Sequence, residues 1–259
     1  MSKCLLLPDI HGRKFWKKPC ENIDIYDKVI FLGDYFDPYG FENITFEDCV
    51  NNFIEIIELK EKYSDKVVLL LGNHDLPYFS EDYYKFSLWH CRHSSKYHKR
   101  ISELFAEYRD YFKIAYVEDS VLFTHAGVES RWLENVVKCN ETDINEICNV
   151  LNSLTDNTEG LCRLYSISFQ RGGRDKYPSC IWADVHDILW DVDSVKDNVT
   201  AIKNPIYNIK QVFGHTIQAF YDENGKVAFG DAIEFENCKM IDTAKPYKLD
   251  TKNFTITTI

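Results

Sequence analysis

Five short apolar runs, each stopped by a polar turn that contains glycine, constrain the fold of this chain more than any other feature. They begin the segments CLLLPDIHG, KVIFLGDYFD, KVVLLLGNHD, SVLFTHAG and QVFGHT. Runs of this length and composition, bounded by Gly or Pro, are typical of buried β-strands. Between the second and third runs, apolar residues of FEDCVNNFIEIIELKEKY recur at helical spacing. Strand, helix and strand in this order predict parallel strands joined by a right-handed crossover.

The length of 259 residues allows one large α/β domain, which we assign to residues 1–259. An aromatic and polar segment over 80–112 separates two of the runs, with a helix expected at Tyr97–Tyr111, and we interpret it as a candidate cap insertion. Irregular structure is expected at Thr155–Tyr177. Short β segments near the C-terminus, with a hairpin turn at Glu223–Gly225, predict a second and largely antiparallel sheet packed on the first.

Composition excludes several classes of protein. The formal charge of −11 argues against extended binding to nucleic acid or anionic lipid. No apolar run approaches the roughly 20 residues of a membrane span, and the N-terminus does not resemble a signal peptide. The nine cysteines include no C-x-x-C pair and are expected to be reduced thiols. We therefore expect a cytoplasmic protein with no membrane partner and no structural zinc held by cysteines.

Side chains that can bind a metal follow each of the five predicted strands. In open α/β sheets the functional crevice lies beyond the carboxyl ends of the strands, so these side chains are expected to converge. Carboxylate, imidazole and amide oxygen without thiolate suit Mn²⁺, Fe or Zn²⁺. The candidate ligands are Asp9, His11, Asp34, Asn73, His125 and His215.

The same five segments resemble, in order, the D-x-H, G-D-x-x-D, G-N-H-D/E, H and G-H motifs of the calcineurin-like metallophosphoesterases. The resemblance implies a four-layer α/β/β/α sandwich of two mixed β-sheets flanked by helices, with a helical insertion after GNHD. It also implies a phosphohydrolase with two metals about 3.5–4 Å apart and a hydroxide between them as nucleophile. The matching segments are Asp9–Gly12, Gly33–Asp37, Gly72–Asp75, Thr124–Gly127 and Gly214–Thr216.

The resemblance also assigns the ligands to two divalent metal ions. Mn²⁺ is the expected metal, with Fe and Zn²⁺ as alternatives. Asn73 is expected to contact the substrate phosphate as well. The implied ligands are Asp9 and His11 for the first metal, Asn73, His125 and His215 for the second, and Asp34 for both.

The GHT ending indicates which branches of the family this chain resembles. Many branches have G-H-x-H, but here Ile217 occupies the last position, and GHT is similar to the phosphoprotein phosphatases and the symmetric diadenosine tetraphosphate hydrolases. This favours a phosphomonoesterase like the serine/threonine-protein phosphatases, acting on a phosphoprotein, a nucleotide or a small phosphoester. A dinucleoside polyphosphate hydrolase is the alternative enzyme. A non-catalytic metal-binding interaction module is an alternative of another class.

The chain departs from the phosphoprotein phosphatases directly after Asp37. Those proteins have an arginine there that holds substrate phosphate, whereas this chain has Pro38. The segment QRGGRD offers Arg171 and Arg174 instead, because a planar guanidinium group suits the oxygens of phosphate. Their alternative interpretation is a pair of solvated loop residues, and we prefer Arg171 of the two.

The resemblance identifies Asp37 and His74 as a catalytic pair. An imidazole held by a carboxylate can supply a proton to a departing alkoxide. The alternatives are a turn-capping Asp37 and a metal-binding His74.

Two further clusters of polar and aromatic residues are not assigned to the chemistry. The histidines and cysteine of WHCRHSSKYH match no standard zinc pattern and are expected on the surface or in the cap. The aromatic residues and histidine of CIWADVHDILWD are predicted to pack beneath the site. The residues concerned are His90, Cys91, His93 and His98 in the first cluster, and Trp182, His186 and Trp190 in the second.

Overall fold

The computed structural model describes residues 1–87, 90–184, 209–217, 219–221, 227–229, 232–234, 237–241 and 244–259. The strands are β1 (Lys3–Leu7), β2 (Lys28–Phe31), β3 (Val67–Leu70), β4 (Phe112–Lys113), β5 (Ala115–Glu118), β6 (Val121–Thr124), β7 (Lys210–Phe213), β8 (Ala219–Tyr221), β9 (Val227–Phe229), β10 (Ile233–Glu234), β11 (Cys238–Met240), β12 (Tyr247–Asp250) and β13 (Thr255–Thr258). The α-helices are α1 (Lys17–Cys20), α2 (Phe46–Lys62), α3 (Leu76–Phe79), α4 (Glu81–Ser87), α5 (His98–Glu107), α6 (Ser130–Trp132), α7 (Ile144–Ser153) and α8 (Thr158–Leu164).

Most of the strands form two mixed sheets. The first has the order β13, β12, β1, β2, β3, β4, in which β1 to β4 are parallel and β12 and β13 are antiparallel to their neighbours. The second has the order β10, β11, β7, β6, β5, in which β11, β7 and β6 are parallel. Strands β8 and β9 form a separate antiparallel pair. The second sheet is therefore mixed. The prediction of a largely antiparallel second sheet, made from the C-terminal segments, is wrong.

The two faces of β1 show how the layers pack. Cys4 and Leu6 point into an apolar layer shared with Phe123 of the second sheet, whereas Leu5 and Leu7 join the layer that contains α2. All four β1 side chains are fully buried, as expected for a strand covered on both sides. The four-layer α/β/β/α sandwich predicted from the sequence is confirmed.

Helix α2 begins where local sequence signals place it. The Thr45 hydroxyl accepts a hydrogen bond from Asp48 N, and the Asp48 carboxylate accepts one from Thr45 N, which forms a capping box. The helix buries Val50 and Phe53, as its periodicity predicts. A crossover helix of this kind connects the parallel strands β2 and β3.

The helical insertion after GNHD is present as α3, α4 and α5. In the described part of the chain, no helix is long and apolar enough to cross a membrane. The irregular structure expected at Thr155–Tyr177 is only partly found. The stretch Thr155–Tyr177 contains α8, which begins because the Asn157 side chain accepts a hydrogen bond from Gly160 N. The predicted turn at Glu223–Gly225 lies outside the described residues.

Two glycines allow the ends of β2 and β3 to approach closely. Gly33 has a φ of +99°, and a Cβ atom placed there would lie 2.3 Å from Gly72 N. A Cβ at Gly72 would lie 2.1 Å from Asp34 Oδ1. Any larger residue at either position would therefore push the two loops apart.

We predict that Gly33→Ala destabilises the protein by more than about 2 kcal/mol, because it adds left-handed backbone strain to a steric overlap. Gly40→Ala is the matched control, since no atom lies within 4 Å of its added Cβ, and its effect should stay within about 0.5 kcal/mol. Urea denaturation of both variants measures the difference. Equal stabilities of the two variants would contradict this account of the loop contact.

Candidate metal centre

The candidate ligands converge at the carboxyl ends of five strands, as the sequence predicts. Each strand end contributes one or two side chains, and the group is drawn from both sheets. All of these side chains are buried. Asp9 and His11 follow β1, Asp34 follows β2, Asn73 follows β3, His125 follows β6, and His215 follows β7.

Several of these residues adopt left-handed backbone conformations. The φ angles are +28° at Asp9, +43° at His11, +57° at Asp34 and +69° at His215. Such conformations cost about 1–3 kcal/mol each and persist only where the surrounding structure enforces them. Their concentration at one edge of the sheets is typical of a functional site.

The carboxylate of Asp75 organises two of the loops. It accepts hydrogen bonds from the backbone N–H groups of Asp34 at 2.6 Å, Tyr35 at 2.8 Å and Gly72 at 2.8 Å. It is fully buried. Asp75 is the last residue of GNHD, and this place in the motif is the signal in the sequence that could have identified it.

The side chains form two groups that could each hold a metal ion. Within each group, the nitrogen and oxygen atoms lie within 4.8 Å of one another. Asp34 belongs to both groups, which is the arrangement that a bridging carboxylate requires. The first group is Asp9, Asp34, His125 and His215, and the second is His11, Asp34 and His74.

Backbone carbonyl groups fix the tautomers of two histidines. His11 Nδ1 lies 2.5 Å from Phe36 O, and His125 Nδ1 lies 2.7 Å from Leu32 O. Since a carbonyl oxygen only accepts, each Nδ1 carries a proton, and in the neutral ring the lone pair is therefore on Nε2. The Nε2 atoms lie 3.6 Å and 3.5 Å from Asp34 Oδ2, respectively.

Two atoms that carry lone pairs lie close to His125 Nε2, and this arrangement suits a bound cation. His125 Nε2 lies 3.0 Å from Asn73 Oδ1 and 3.0 Å from His215 Nδ1. The amide oxygen cannot donate a hydrogen bond to the unprotonated Nε2. A positive ion among these atoms would satisfy all of them together, so the donor set fits a divalent metal.

The charge states match those of metal ligands. Burial opposes the ionisation of Asp34, but positive charge on the nearby imidazoles, His125 first, and the hydrogen bond from the His74 backbone N–H lower its pKa to about 2. Burial lowers the pKa of His11 and of His215 well below the usual value. Asp34 is therefore held as a carboxylate and the two histidines as neutral rings, which are the forms that bind metals. Asp9 differs from these three residues, because burial raises its pKa and so favours the protonated carboxyl group over the form that binds a metal.

His74, which belongs to the second of these groups, forms a buried pair with Asp37. His74 Nδ1 lies 2.7 Å from Asp37 Oδ2, and the hydroxyl of Tyr78 donates to Asp37 Oδ1 at 2.7 Å. The backbone N–H of His74 donates to Asp34 Oδ1 at 2.9 Å. The pair is therefore fixed relative to the shared carboxylate, and Tyr78 is a supporting residue that the sequence analysis missed.

The two arginines of QRGGRD have different surroundings. Arg171 Nε lies 3.0 Å from Asp184 Oδ2, and its Nη2 donates to Thr216 Oγ1 at 2.9 Å. Arg171 is thus attached to the loop that carries His215. Arg174 is exposed to solvent.

The histidine-rich segment does not join either metal-binding group. His93 Nε2 lies 2.9 Å from His98 Nδ1, and the His98 ring stacks on Tyr84. His90 Nδ1 lies 2.7 Å from Tyr165 Oη, and the thiol of Cys91 donates to the carbonyl oxygen of Asn73 at 3.3 Å.

Trp182 belongs to the second cluster that the sequence analysis left unassigned. It is buried, with its ring centroid 6.2 Å from that of His215, which agrees with packing beneath the site. His186 and Trp190 lie outside the described residues.

Two more arginines lie close to the site, although no motif marks them in the sequence. Arg13 Nη1 donates to the carbonyl oxygen of Asp9 at 3.0 Å. Arg92 donates to the carbonyl oxygen of Asp37 through Nε at 3.2 Å and Nη2 at 2.9 Å. Arg13 directly follows the first matched segment, which is a signal that sequence reasoning could have used.

Comparisons with solved structures support the fold. The chain is similar to a candidate diadenosine tetraphosphatase, with 13% identity and a TM-score of 0.50 over 100% of this chain and 93% of that chain. It is also similar to a protein serine/threonine phosphatase from Saccharomyces cerevisiae, with 14% identity and a TM-score of 0.52 over 99% of this chain and 79% of that chain. No curated protein sequence matches the chain.

A family assignment follows from the sequence match and the geometry together. The model of the calcineurin-like phosphoesterases matches residues 3–219, which include every candidate ligand. The buried carboxylates and imidazoles provide a site for divalent metal. The chain therefore belongs to the calcineurin-like phosphoesterase family and is a metal-dependent phosphoester hydrolase.

Proposed function

We propose that the protein is a dinuclear phosphomonoesterase whose two metal ions share Asp34. The observation that carries this proposal is the membership of Asp34 in both groups of converging side chains, one of which also contains His74, the partner of Asp37. The family resemblance assigns Asp9 and His11 to one metal, although the distances between side-chain atoms group Asp9 with His125 and His215, and His11 with His74. Asn73, His125 and His215 would hold the other. Mn²⁺ is the first choice because the donors are oxygen and imidazole.

Two divalent cations bound there would neutralise phosphoryl charge and activate water for attack on phosphorus. The protein contributes a buried site in which the ligands are already oriented. Asn73 would contact both metal and phosphate, since its amide carries an acceptor and a donor.

His74 would donate a proton to the departing oxygen of the substrate. Its Nδ1 is engaged by Asp37, so Nε2 is the atom that can face the substrate. Asp37 would orient the ring and stabilise its protonated form. The contact from Tyr78 to the other carboxylate oxygen supports the same role.

Arg171 would bind the transferred phosphate. Its contacts with Asp184 and Thr216 use Nε and Nη2, which pre-orients the planar group for an oxyanion. Arg174, although exposed, is the alternative from the same loop.

Metal content gives the first test. We expect two Mn²⁺ ions per chain, and we expect Asp34→Asn to weaken both sites more than His215→Ala does, because only Asp34 would touch both. Elemental analysis after dialysis at defined Mn²⁺ concentrations measures the stoichiometry. Asp110→Asn, an exposed position, is the control. A stoichiometry of zero or one in the wild type, or equal minor losses in the two variants, would argue against a shared carboxylate.

The leaving-group dependence of His74→Asn gives the second test. General acid catalysis contributes about 10²–10⁴-fold, so the loss should approach this size with an alkyl phosphate, whose alkoxide needs a proton. An activated aryl phosphate should show a smaller loss, and Asp37→Asn should follow the same pattern more weakly. Metal content is measured in parallel. If His74→Asn keeps both metals and slows the two substrates equally, His74 is not the acid.

The third test concerns Arg171. Arg171→Lys keeps the charge but loses the planar fork, so KM should rise or kcat should fall while metal content stays normal. Arg100→Lys is the control, since Arg100 is exposed and paired with Glu47. Steady-state kinetics on one aryl phosphate are sufficient. Wild-type kinetics in Arg171→Lys would make Arg171 an ordinary loop residue.

A substrate panel identifies the class of phosphoester. Phosphopeptides, nucleotides and dinucleoside polyphosphates are compared in the presence of Mn²⁺. Highest kcat/KM on phosphomonoesters supports the proposal, whereas highest kcat/KM on dinucleoside polyphosphates favours the hydrolase of that class. Hydrolysis of no substrate by metal-loaded protein would favour a metal-binding interaction module.

A further inference from the structure

Arg92 lies in the helical insertion, between α4 and α5, at the edge of the candidate site. Its two hydrogen bonds to the carbonyl oxygen of Asp37 use one edge of the guanidinium group. Its Cζ lies 3.8 Å from the centroid of the Tyr39 ring, and that ring meets His11 edge-on at 5.1 Å. The guanidinium group is therefore held in place by a carbonyl group and an aromatic ring, neither of which neutralises its charge.

The other two arginines close to the site have acidic partners. Arg13 Nε lies 2.7 Å from Glu42 Oε1, and Arg171 Nε lies 3.0 Å from Asp184 Oδ2. For Arg92, the contacts within the described part of the chain include no carboxylate at ion-pair distance. A fixed cation without a paired carboxylate, in a chain of formal charge −11, is suited to an anion from outside the chain.

The position of Arg92 indicates which part of a substrate it could reach. It binds the main chain of Asp37, whose carboxylate holds His74, the proposed proton donor to the departing oxygen. Arg92 therefore lies on the leaving-group side. It is also exposed, and within the described residues its Nη1 has no hydrogen-bond partner, so it can donate to a ligand.

We propose that Arg92 binds a second phosphate carried by the leaving group of the substrate. The enzyme then prefers phosphoesters whose alcohol bears another phosphate over esters of neutral alcohols. The charge-assisted contact from Nη1 provides the preference. The inference rests on the proposed function, because it takes the leaving-group side from the role of His74.

Two substrates with the same ester chemistry test this inference. Propane-1,3-diol monophosphate has a neutral leaving group, whereas the leaving group of propane-1,3-diol bisphosphate carries a phosphate. We expect wild-type kcat/KM to favour the bisphosphate, and Arg92→Gln to reduce that ratio by at least about tenfold, the size expected for one hydrogen bond to a charged group. Arg92→Lys should recover part of the ratio because the charge remains.

Controls separate recognition from structure. Arg100→Gln, at an exposed position in the same insertion, should leave the ratio unchanged. Binding is measured in parallel by calorimetry on Mn²⁺-loaded protein, with propane-1,3-bisphosphonate and propylphosphonate as non-hydrolysable probes. Arg92→Gln should weaken binding of the bisphosphonate at least about tenfold more than binding of propylphosphonate.

The outcomes distinguish this inference from the proposed function. If the wild type hydrolyses neither substrate with Mn²⁺, the proposed function fails, and with it the inference. If the wild type hydrolyses the monophosphate but Arg92→Gln leaves both the kinetic and the binding ratio unchanged, only the inference fails. An equal loss on both substrates would make Arg92 a support for the Asp37 loop and would also overturn the inference.

Discussion

The buried carboxylate of Asp75 holds together the two loops on which the candidate site depends. It accepts the backbone N–H groups of Asp34, Tyr35 and Gly72, which would otherwise lack partners in a region closed to water. This contact connects the loop after β2 to the loop after β3. Because Asp34 in turn accepts the N–H of His74, the shared carboxylate and the proposed proton donor are positioned by one network.

Burial then determines the chemistry of the groups that this network supports. Removal from water favours the neutral rings of His11 and His215, and the carbonyl groups of Phe36 and Leu32 hold a proton on Nδ1 of His11 and His125, respectively. The Nε2 atoms of His11 and His125 are left facing Asp34 Oδ2. The strain of the left-handed backbone is thus balanced by contacts that only the complete site provides.

The helical insertion contributes to the leaving-group side of the site. Tyr78 of α3 binds the carboxylate of Asp37, and Arg92 of the segment over 80–112 binds its carbonyl oxygen, so both residues hold the partner of His74. This gives the segment over 80–112 a physical connection to the chemistry. Its assignment as a cap stays a prediction, as does the single domain over 1–259.

Local sequence determined the parts of this protein that depend on short-range rules. Apolar runs stopped by glycine predict the strands, the Thr45 capping box marks the start of α2, and the order of polar residues predicts which side chains meet at the strand ends. The tertiary structure alone decided the partners of the long side chains. Arg171 pairs with Asp184 while Arg92 lies on Tyr39, because packing between distant segments, which no local pattern encodes, fixes the path of a flexible arginine.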